Sequence, residues 1–206
     1  ASKALRVLHL SDLHFSADTS VQRRLGPLVR DLKHVDEFFP AIHEVDYVVI
    51  CGDFTQKGDP AGFPKAVEFL SALHKELGFS AERVILVPGN HDVQDHVEQY
   101  KLAELTAGEH LPDPPYVNVG QVYLQRNELT YWERFKRFDE DLYHAYKLVE
   151  SYPLGPEKQG MAFPPIEKGI QFMGFNSSWQ IDRFHRKRSG INPDAVENAL
   201  REANEQ

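Results

Sequence analysis

The sequence predicts an α/β fold with a parallel sheet, because short apolar runs alternate with stretches of helical periodicity. The apolar runs are LRVLHL at 5–10, YVVIC at 47–51 and VILV at 84–87, and each ends at a glycine, a proline or a Ser-Asp pair. Between them, apolar residues recur at helical spacing over 25–42 and over 63–77. Continuous apolar runs are typical of strands covered on both faces, so we expect two strand–helix–strand units in one sheet.

The predicted connections place the ends of these strands close together. Right-handed crossovers would bring the carboxyl ends of all three strands to one edge of the sheet. Ligand sites in sheets of this kind form just outside that edge. Two other residues on the strands, His9 and Cys51, are expected to be packed side chains of the sheet and not parts of a site.

The pattern changes after the third strand. Residues 93–107 look helical and polar, and residues 108–120 contain three prolines and two glycines, which indicates a loop. Residues 129–149 carry apolar side chains at helical spacing, which predicts a second helix in this part of the chain. We therefore interpret 93–150 as a helical insertion or cap beside the site.

The last part of the chain predicts a return to strand and helix. Strands are expected at 161–166 and 170–175, and two adjacent prolines favour an edge position for the first. Asn192 is the expected N-cap of a final helix, with Pro193 at its first position. The whole chain, 1–206, is interpreted as a single domain.

Composition and charge limit the class of protein. The 206 residues are 41% hydrophobic and 26% charged, as in an ordinary soluble domain. The net charge of −8 argues against a general nucleic-acid coat or a binder of anionic membranes, since both ligands attract basic faces. No apolar run approaches the roughly 18 residues that span a bilayer, and the single cysteine allows no intrachain disulfide, so a cytoplasmic protein is expected.

Oxygen and imidazole side chains follow each of the three expected strands. Asp12 and His14 lie two residues apart, which places both side chains on one face of an extended segment. Asp53 follows the tight turn expected at Gly52, and Asn90 offers a neutral carbonyl oxygen. These donors suit Mn²⁺, Fe²⁺ or Zn²⁺, and two such ions about 3.5–4 Å apart could clamp a phosphoryl group.

The three loops read Asp-Leu-His at 12–14, Gly-Asp-Phe-Thr-Gln-Lys-Gly at 52–58 and Gly-Asn-His-Asp at 89–92. In this order, each after a strand, they closely resemble the motifs of the calcineurin-like metallophosphoesterases. The resemblance covers residues 4–92 strongly and implies the four-layered α/β/β/α sandwich of that family. The second motif lacks the Asp-Arg-Gly ending of the phosphoprotein phosphatases, so the chain is more similar to the bacterial branch that contains class III cyclic-nucleotide phosphodiesterases.

The resemblance implies two divalent metal ions, Mn, Fe or Zn, held by the loop residues. Asp12, His14 and Asp53 would bind the first ion. Asp53 would also bridge to the second ion, which Asn90 would bind.

The same resemblance implies catalytic roles for the end of the third motif. His91 would be the catalytic acid or the group that stabilises the transition state. Asp92 resembles the family's supporting carboxylate, which would hold the imidazole of His91.

The family's later motifs, a histidine after a further strand and then a Gly-His-x-His pair, have no counterpart in this sequence. We therefore expect a chain that is incomplete on its C-terminal side and lacks several metal ligands. Two hypotheses stay open. One is a metal-dependent phosphoesterase acting on a phosphodiester or phosphomonoester, with a nucleotide as one candidate substrate. The other is a catalytically incomplete module of a longer effector or regulatory protein.

A dense basic run at 183–188 includes Arg183, Arg186 and Arg188. It is either a solvated loop or a loop that contacts substrate phosphate at the mouth of the site. A nuclease is a third hypothesis, which this run supports and the acidic balance of the chain disfavours. His96, close to the third motif, is a further candidate for contact with substrate.

Overall fold

The computed structural model describes residues 5–34, 42–95, 97–104, 111–148, 150–164 and 169–206. Several parts of the sequence predictions lie outside these residues. They are His96, residues 35–41 of the helix predicted at 25–42, residues 105–107 of the helix predicted at 93–107, residues 108–110 of the predicted loop, residue 149 of the helix predicted at 129–149, and residues 165–166 of a predicted strand.

The three apolar runs form one parallel sheet, as predicted. Its strands are β1 (Val7–Leu10), β2 (Tyr47–Cys51) and β3 (Val84–Val87), and β2 lies in the middle. The register is regular, with Val7 opposite Tyr47 in one pair and Val48 opposite Val84 in the other. All three strands therefore end at the same edge, and the loops that follow them are neighbours.

Two helices cover one face of this sheet. Helix α1 (Val21–Lys33) begins at the N-cap Ser20, whose hydroxyl accepts a hydrogen bond from the Arg23 N–H. Helix α2 (Gly62–Leu77) ends at Gly78, where a φ of 70° fits the left-handed conformation that glycine adopts easily. Their apolar faces meet the sheet in one core cluster, which includes Val21, Leu25, Val48, Ile50, Phe63, Leu70 and Leu86.

A hairpin and a helix form two further layers on the opposite face. Strands β7 (Gly160–Ala162) and β8 (Met173–Phe175) pair antiparallel, and β8 packs against β3. A Cβ added to Gly174 would lie 3.1 Å from a methyl group of Val87. Helix α4 (Pro193–Glu205) begins at the predicted cap and packs on the outside of β7. The layers therefore follow the order α/β/β/α.

The hairpin covers only part of the sheet, which corrects one sequence expectation. All four residues of β3 are buried, but Val7 of β1 is 42% exposed. His9 and Cys51 are exposed as well, although both were expected to be packed. The reason is geometric: β8 lies against β3, at one edge of the sheet, and β1 lies at the other edge.

The region after the third motif is not the predicted helical insertion throughout. Strands β4 (Tyr100–Leu102), β5 (Tyr116–Val119) and β6 (Val122–Arg126) form an antiparallel sheet with β6 in the middle. The helix predicted at 93–107 is therefore wrong where β4 lies, and the loop predicted at 108–120 contains β5. Strand pairing with β6 decides the conformation here, and the polar composition of the segment gives no sign of that pairing.

The helix predicted at 129–149 is present but broken into different helical types. A 3₁₀ segment (Tyr131–Phe135) precedes a π-helix (Phe138–His144), which leads into the short α3 (Ala145–Lys147). Side chains of this segment, among them Phe138, enter the main core next to α2. Within the described residues, no helix is long and apolar enough to cross a membrane.

Candidate metal centre and adjoining cleft

The three motif loops are joined by hydrogen bonds at the carboxyl edge of the parallel sheet. The N–H of Asp12 donates to the Gly52 carbonyl at 3.3 Å, and the N–H of His14 donates to the Asp53 carbonyl at 2.8 Å. The N–H of His91 donates to Asp53 Oδ1 at 2.8 Å. The second loop therefore lies between the other two and sets the position of both.

Three of the predicted metal ligands have left-handed backbone conformations. The φ angles are 57° at Asp12, 45° at His14 and 57° at Asp53. Such conformations are uncommon for residues other than glycine, and each costs on the order of 1 kcal/mol or more. Strained residues of this kind persist where the surrounding structure holds them, and they cluster at functional sites. The strain is independent support for a site at this edge.

The motif glycines are required by a close approach of two loops. A Cβ on Gly52 would lie 2.7 Å from the Cα of Gly89. A Cβ on Gly89 would lie 2.3 Å from Asp53 Oδ1 and 2.4 Å from the Asp53 nitrogen. Neither position can take a side chain unless the loops move apart. The glycines therefore determine where the Asp53 carboxylate lies.

The predicted residues converge on one point. Ligand atoms of His14, Asp53 and His91 all lie within 4.8 Å of one another. The rings of His14 and His91 meet edge to face with centroids 4.7 Å apart, and Asp12 Oδ1 lies 3.6 Å from His14 Nε2. Asn90 and Asp53 both line a cleft of about 270 Å³, so they face the same space.

The donor set fits a divalent cation. Nδ1 of His14 and Nδ1 of His91 are buried, and neither has a hydrogen-bond partner among the described residues. Buried polar atoms without partners are rare in folded proteins, and each needs an explanation. Two imidazoles beside carboxylates are donors that Mn²⁺, Fe²⁺ and Zn²⁺ accept.

Asp92 has a different role from the one implied by resemblance. In the part of the chain described, its carboxylate does not hold the imidazole of His91. It accepts backbone hydrogen bonds from Gly89 and Thr55 at 2.9 Å and from Phe54 at 3.3 Å, and one from the Thr55 hydroxyl at 3.1 Å. Those donors surround the buried carboxylate, so Asp92 joins the second loop to the third.

The environment of Asp92 alters its acidity. Burial raises the pKa of Asp92 to about 6 and is opposed by the hydrogen bonds from Gly89, Thr55 and Phe54, while the charge of Asp53 adds to the rise. The carboxyl group is thus held by its donors at a place where its charge is costly. This is the pattern expected of a carboxylate whose role is to join the two loops.

A second cleft adjoins the cluster. Its volume is about 370 Å³, and it is lined by Lys57, Asn90, His91, Val93, Asp95, Ile181 and Arg186. Lys57 was not singled out from the sequence, although it lies inside the second motif and has a φ of 54°. Its position in the second motif, between Asp53 and Gly58, is the sequence feature that predicts a place for Lys57 near the site.

Of the three arginines predicted to contact substrate, Arg186 lines this cleft. The guanidinium of Arg188 is paired with Asp113, at 3.1 and 2.8 Å. Arg183 lies over the ring of Phe184, 4.8 Å from its centroid. Residues 184–188 together line a shallow pocket of about 540 Å³, but of the three arginines only Arg186 also lines the cleft beside His91.

A buried polar network that the sequence did not predict supports the basic run. Asp182 is fully buried and accepts hydrogen bonds from the hydroxyls of Tyr100 and Tyr131, at 2.6 and 2.8 Å. Arg134, also fully buried, donates to the carbonyls of Trp179 and Ile181. These partners lie far apart in sequence, so no local pattern reveals them.

The fold and the three loops define a class: α/β proteins with metal-binding residues at the carboxyl edge of a parallel sheet. The family model for calcineurin-like phosphoesterases matches residues 5–187, and the chain belongs to that family. The family consists of metal-dependent phosphoesterases, which bind divalent metal ions.

A curated relative agrees with this family. The chain is 30% identical over 156 residues to the uncharacterized metallophosphoesterase-like protein YydB of Bacillus subtilis (strain 168). The similarity covers 69% of this chain and 31% of the relative. The chain thus spans less than a third of the relative's length.

Proposed function

We propose that this chain provides the site of a metal-dependent phosphoesterase that hydrolyses a phosphodiester or phosphomonoester. The observation that carries the proposal is the convergence of His14, Asp53 and His91 within 4.8 Å at the edge of the sheet. The alternative is that these are ordinary polar turn residues with no ligand. That alternative does not explain why the Nδ1 atoms of His14 and His91 are buried without hydrogen-bond partners.

The proposal assigns Asp12, His14, Asp53 and Asn90 to the binding of two divalent ions, with Asp53 as the bridging carboxylate. Bound there, such ions would lower the pKa of a water molecule and so supply a nucleophile near neutral pH. The hydrogen bond from the His91 N–H orients the Asp53 carboxylate before any ion arrives. This preorganisation reduces the reorganisation needed on binding.

His91 is proposed as the proton donor to the leaving oxygen. Its ring lies beside that of His14 and also lines the cleft of about 370 Å³, so it faces both the cluster and the space open to a substrate. Proton donation by a placed side chain contributes about 100-fold or more to a rate. Loss of this ring should therefore reduce turnover more than it reduces metal binding.

A second candidate is a metal-binding module that lacks full activity. Within the described residues, one cluster of three side chains could hold a metal ion, and it includes His91, which is proposed above as a proton donor. Two ions need more donors than this cluster supplies. The length of the relative is compatible with donors from elsewhere in a longer protein. A nuclease is not favoured, because Arg183 and Arg188 are turned to other partners.

Metal counting and hydrolysis test the two candidates. The chain is freed of metal, reloaded with Mn²⁺ and measured for bound metal and for cleavage of bis(4-nitrophenyl) phosphate. The enzyme predicts two ions per chain and activity that Asp53→Asn abolishes, whereas the module predicts one ion or none and no activity.

The matched controls are exposed residues near the same strands. His9→Gln and Asp18→Asn remove an imidazole and a carboxylate outside the cluster and should leave metal content and activity unchanged. Activity that persists in Asp53→Asn with Mn²⁺ present would contradict the proposal.

A further inference from the structure

The cleft beside His91 is lined by charged side chains to which the proposed hydrolysis gives no role. Lys57 and Arg186 line it together with one carboxylate, Asp95. Arg186 and Asp95 form an ion pair within the cleft. The remaining lining includes Val93 and Ile181, both buried. The cleft thus combines two cationic groups and one carboxylate with buried apolar side chains.

The ion pair between Arg186 and Asp95 is one that an incoming anion can displace. Its side chains are 55% and 43% exposed, respectively. Exposed pairs of this kind contribute little to stability, because water screens them. A phosphate group offers a guanidinium a bidentate partner with more charge than one carboxylate. Exchange of Asp95 for such a group therefore costs little free energy.

The backbone that carries Arg186 is held firmly even though its side chain is exposed. Asp182 accepts hydrogen bonds from the N–H groups of Phe184 and His185 at 2.8 Å each. The ring of His185 lies between two carboxylates, with Nδ1 3.1 Å from Asp182 and Nε2 3.1 Å from Asp113. The loop is therefore anchored immediately before Arg186, and the arginine projects from a fixed base.

We propose that this cleft binds a second anionic group of the substrate, a phosphate or a carboxylate, through Arg186 and Lys57. Asp95 is the specificity-determining residue: it holds Arg186 in the free protein, and a substrate with an anionic group takes its place. A substrate that lacks such a group leaves the ion pair intact and gains nothing from the cleft. The proposal rests on the proposed function, because it assigns the substrate class of the same site.

A binding measurement without metal tests the cleft alone. The metal-free chain is titrated with pyrophosphate by calorimetry, at low ionic strength so that screening is small. Arg186→Gln should weaken binding by about tenfold, which corresponds to the loss of about 1.4 kcal/mol. Lys57→Gln should also weaken it, and Asp95→Asn should strengthen it by about threefold or more, since the competing carboxylate is gone.

Lys187→Gln is the matched control. Lys187 is the next residue and is exposed, and it lines a shallow pocket beside Arg186 but not this cleft. Its loss therefore changes the net charge equally without removing a contact within the cleft. Four results would overturn the proposal. They are no measurable binding by the unaltered chain, equal effects of Lys187→Gln and Arg186→Gln, unchanged binding by Lys57→Gln, and no gain from Asp95→Asn.

A substrate pair tests selectivity in the Mn²⁺-loaded chain. Thymidine 5′-(4-nitrophenyl phosphate) is compared with the same compound carrying a 3′-phosphate. Arg186→Gln should raise KM for the compound with the 3′-phosphate several-fold and leave KM for the compound without it unchanged. Equal effects on both would count against the cleft. If neither compound is cleaved, the proposed function fails, while the pyrophosphate titration still decides whether the cleft binds an anion.

Discussion

The N–H of His91 donates a 2.8 Å hydrogen bond to Oδ1 of Asp53, and this bond joins two loops 38 residues apart in sequence. From the other side, the Gly58 N–H donates to the carbonyl of His91 at 2.5 Å. The second motif thus holds the backbone of His91 at both its N–H and its carbonyl group. Mutations in the second loop should consequently change the position of the His91 imidazole in the third loop.

Gly89→Ala should disrupt the candidate metal centre without removing any ligand. Its Cβ would lie 2.3 Å from Asp53 Oδ1, so the carboxylate must move or the loops must separate. We expect Mn²⁺ affinity to fall by about tenfold or more, the range seen when groups that orient ligands are lost. Equilibrium dialysis of Mn²⁺ against the variant measures the change.

Gly26→Ala provides the matched control. Apart from its chain neighbours and the backbone of its own helix, nothing lies within 4 Å of a Cβ added there. The residue is inside α1 and precedes Pro27, so the higher helix propensity of alanine is opposed by contact with the proline ring. The control should bind Mn²⁺ normally, whatever the small change in its denaturant midpoint. Normal Mn²⁺ binding by Gly89→Ala would mean that the close approach does not position Asp53.

The parallel sheet and its three loops could be predicted because each strand is an unbroken apolar run that ends in a turn. The run in β3 is apolar throughout because both faces of that strand are buried. The chemistry of the loops follows directly from residue types such as Asp53 and His91. The exposure of His9 could not be predicted. It depends on how far the β7–β8 hairpin reaches across the sheet, and no pattern within β1 records that.

The parts of the site that the sequence did not predict depend on contacts between distant residues. From the sequence alone, Asp182 looks like an ordinary loop carboxylate. In the structure it accepts a hydrogen bond from the hydroxyl of Tyr100, which is 82 residues away in sequence. The family resemblance implies that Asp92 holds the ring of His91. In the structure its carboxylate turns instead toward the backbone of the second loop, where N–H donors compensate for burial.

Asp53→Asn should have opposite effects on stability with and without metal. The charge of Asp53 contributes to raising the pKa of Asp92, after the larger effect of burial, which means that the two carboxylates repel each other in the metal-free protein. Removing one charge should leave the free energy of unfolding in EDTA unchanged or raise it by about 0.5 kcal/mol or more. Urea unfolding in EDTA measures this term.

With Mn²⁺ at 100 times its dissociation constant, the unaltered chain should gain about 2.7 kcal/mol from binding, and Asp53→Asn should gain far less. Asp18→Asn, an exposed carboxylate in the first loop, should follow the unaltered chain in both buffers. An Asp53→Asn variant that is clearly destabilised in EDTA would show that the carboxylate is structural.

Asp182→Asn should destabilise the chain at neutral pH and less at acid pH. Burial raises the pKa of Asp182, but hydrogen bonds from Tyr100, Tyr131, Phe184 and His185 outweigh burial and hold that pKa below its usual 3.8. A lowered folded-state pKa stabilises the protein above the unfolded value, and the stabilisation is lost as pH falls through the folded value. Unfolding in denaturant from pH 7 to pH 3 measures the difference.

At pH 7, Asp182→Asn should lose about 1–3 kcal/mol, because an amide cannot accept from all the donors. The loss should begin to shrink as pH falls below about 4, where this carboxyl group takes up a proton in the unfolded chain, and it should be smallest below the lower folded-state pKa. Asp31→Asn, whose partner Arg30 is exposed, should change stability by about 0–1 kcal/mol. A loss in Asp182→Asn that stays constant down to pH 3 would mean that the charge of the carboxylate does not matter.

Phe138→Ala tests whether the segment after the third motif is a separate cap or part of one domain. Phe138 is fully buried, meets Phe54 of the second motif with centroids 5.6 Å apart, and belongs to the core that α2 and the parallel sheet share. Truncating a buried phenylalanine costs about 3–5 kcal/mol.

If the chain is one domain, Phe138→Ala should shift a single cooperative unfolding transition as a whole, and circular dichroism and tryptophan fluorescence should both follow it. Leu148→Ala, at a residue that is 74% exposed, should shift it little. Two separate transitions, with only one of them moved by Phe138→Ala, would identify 93–150 as a cap that folds independently of the sheet.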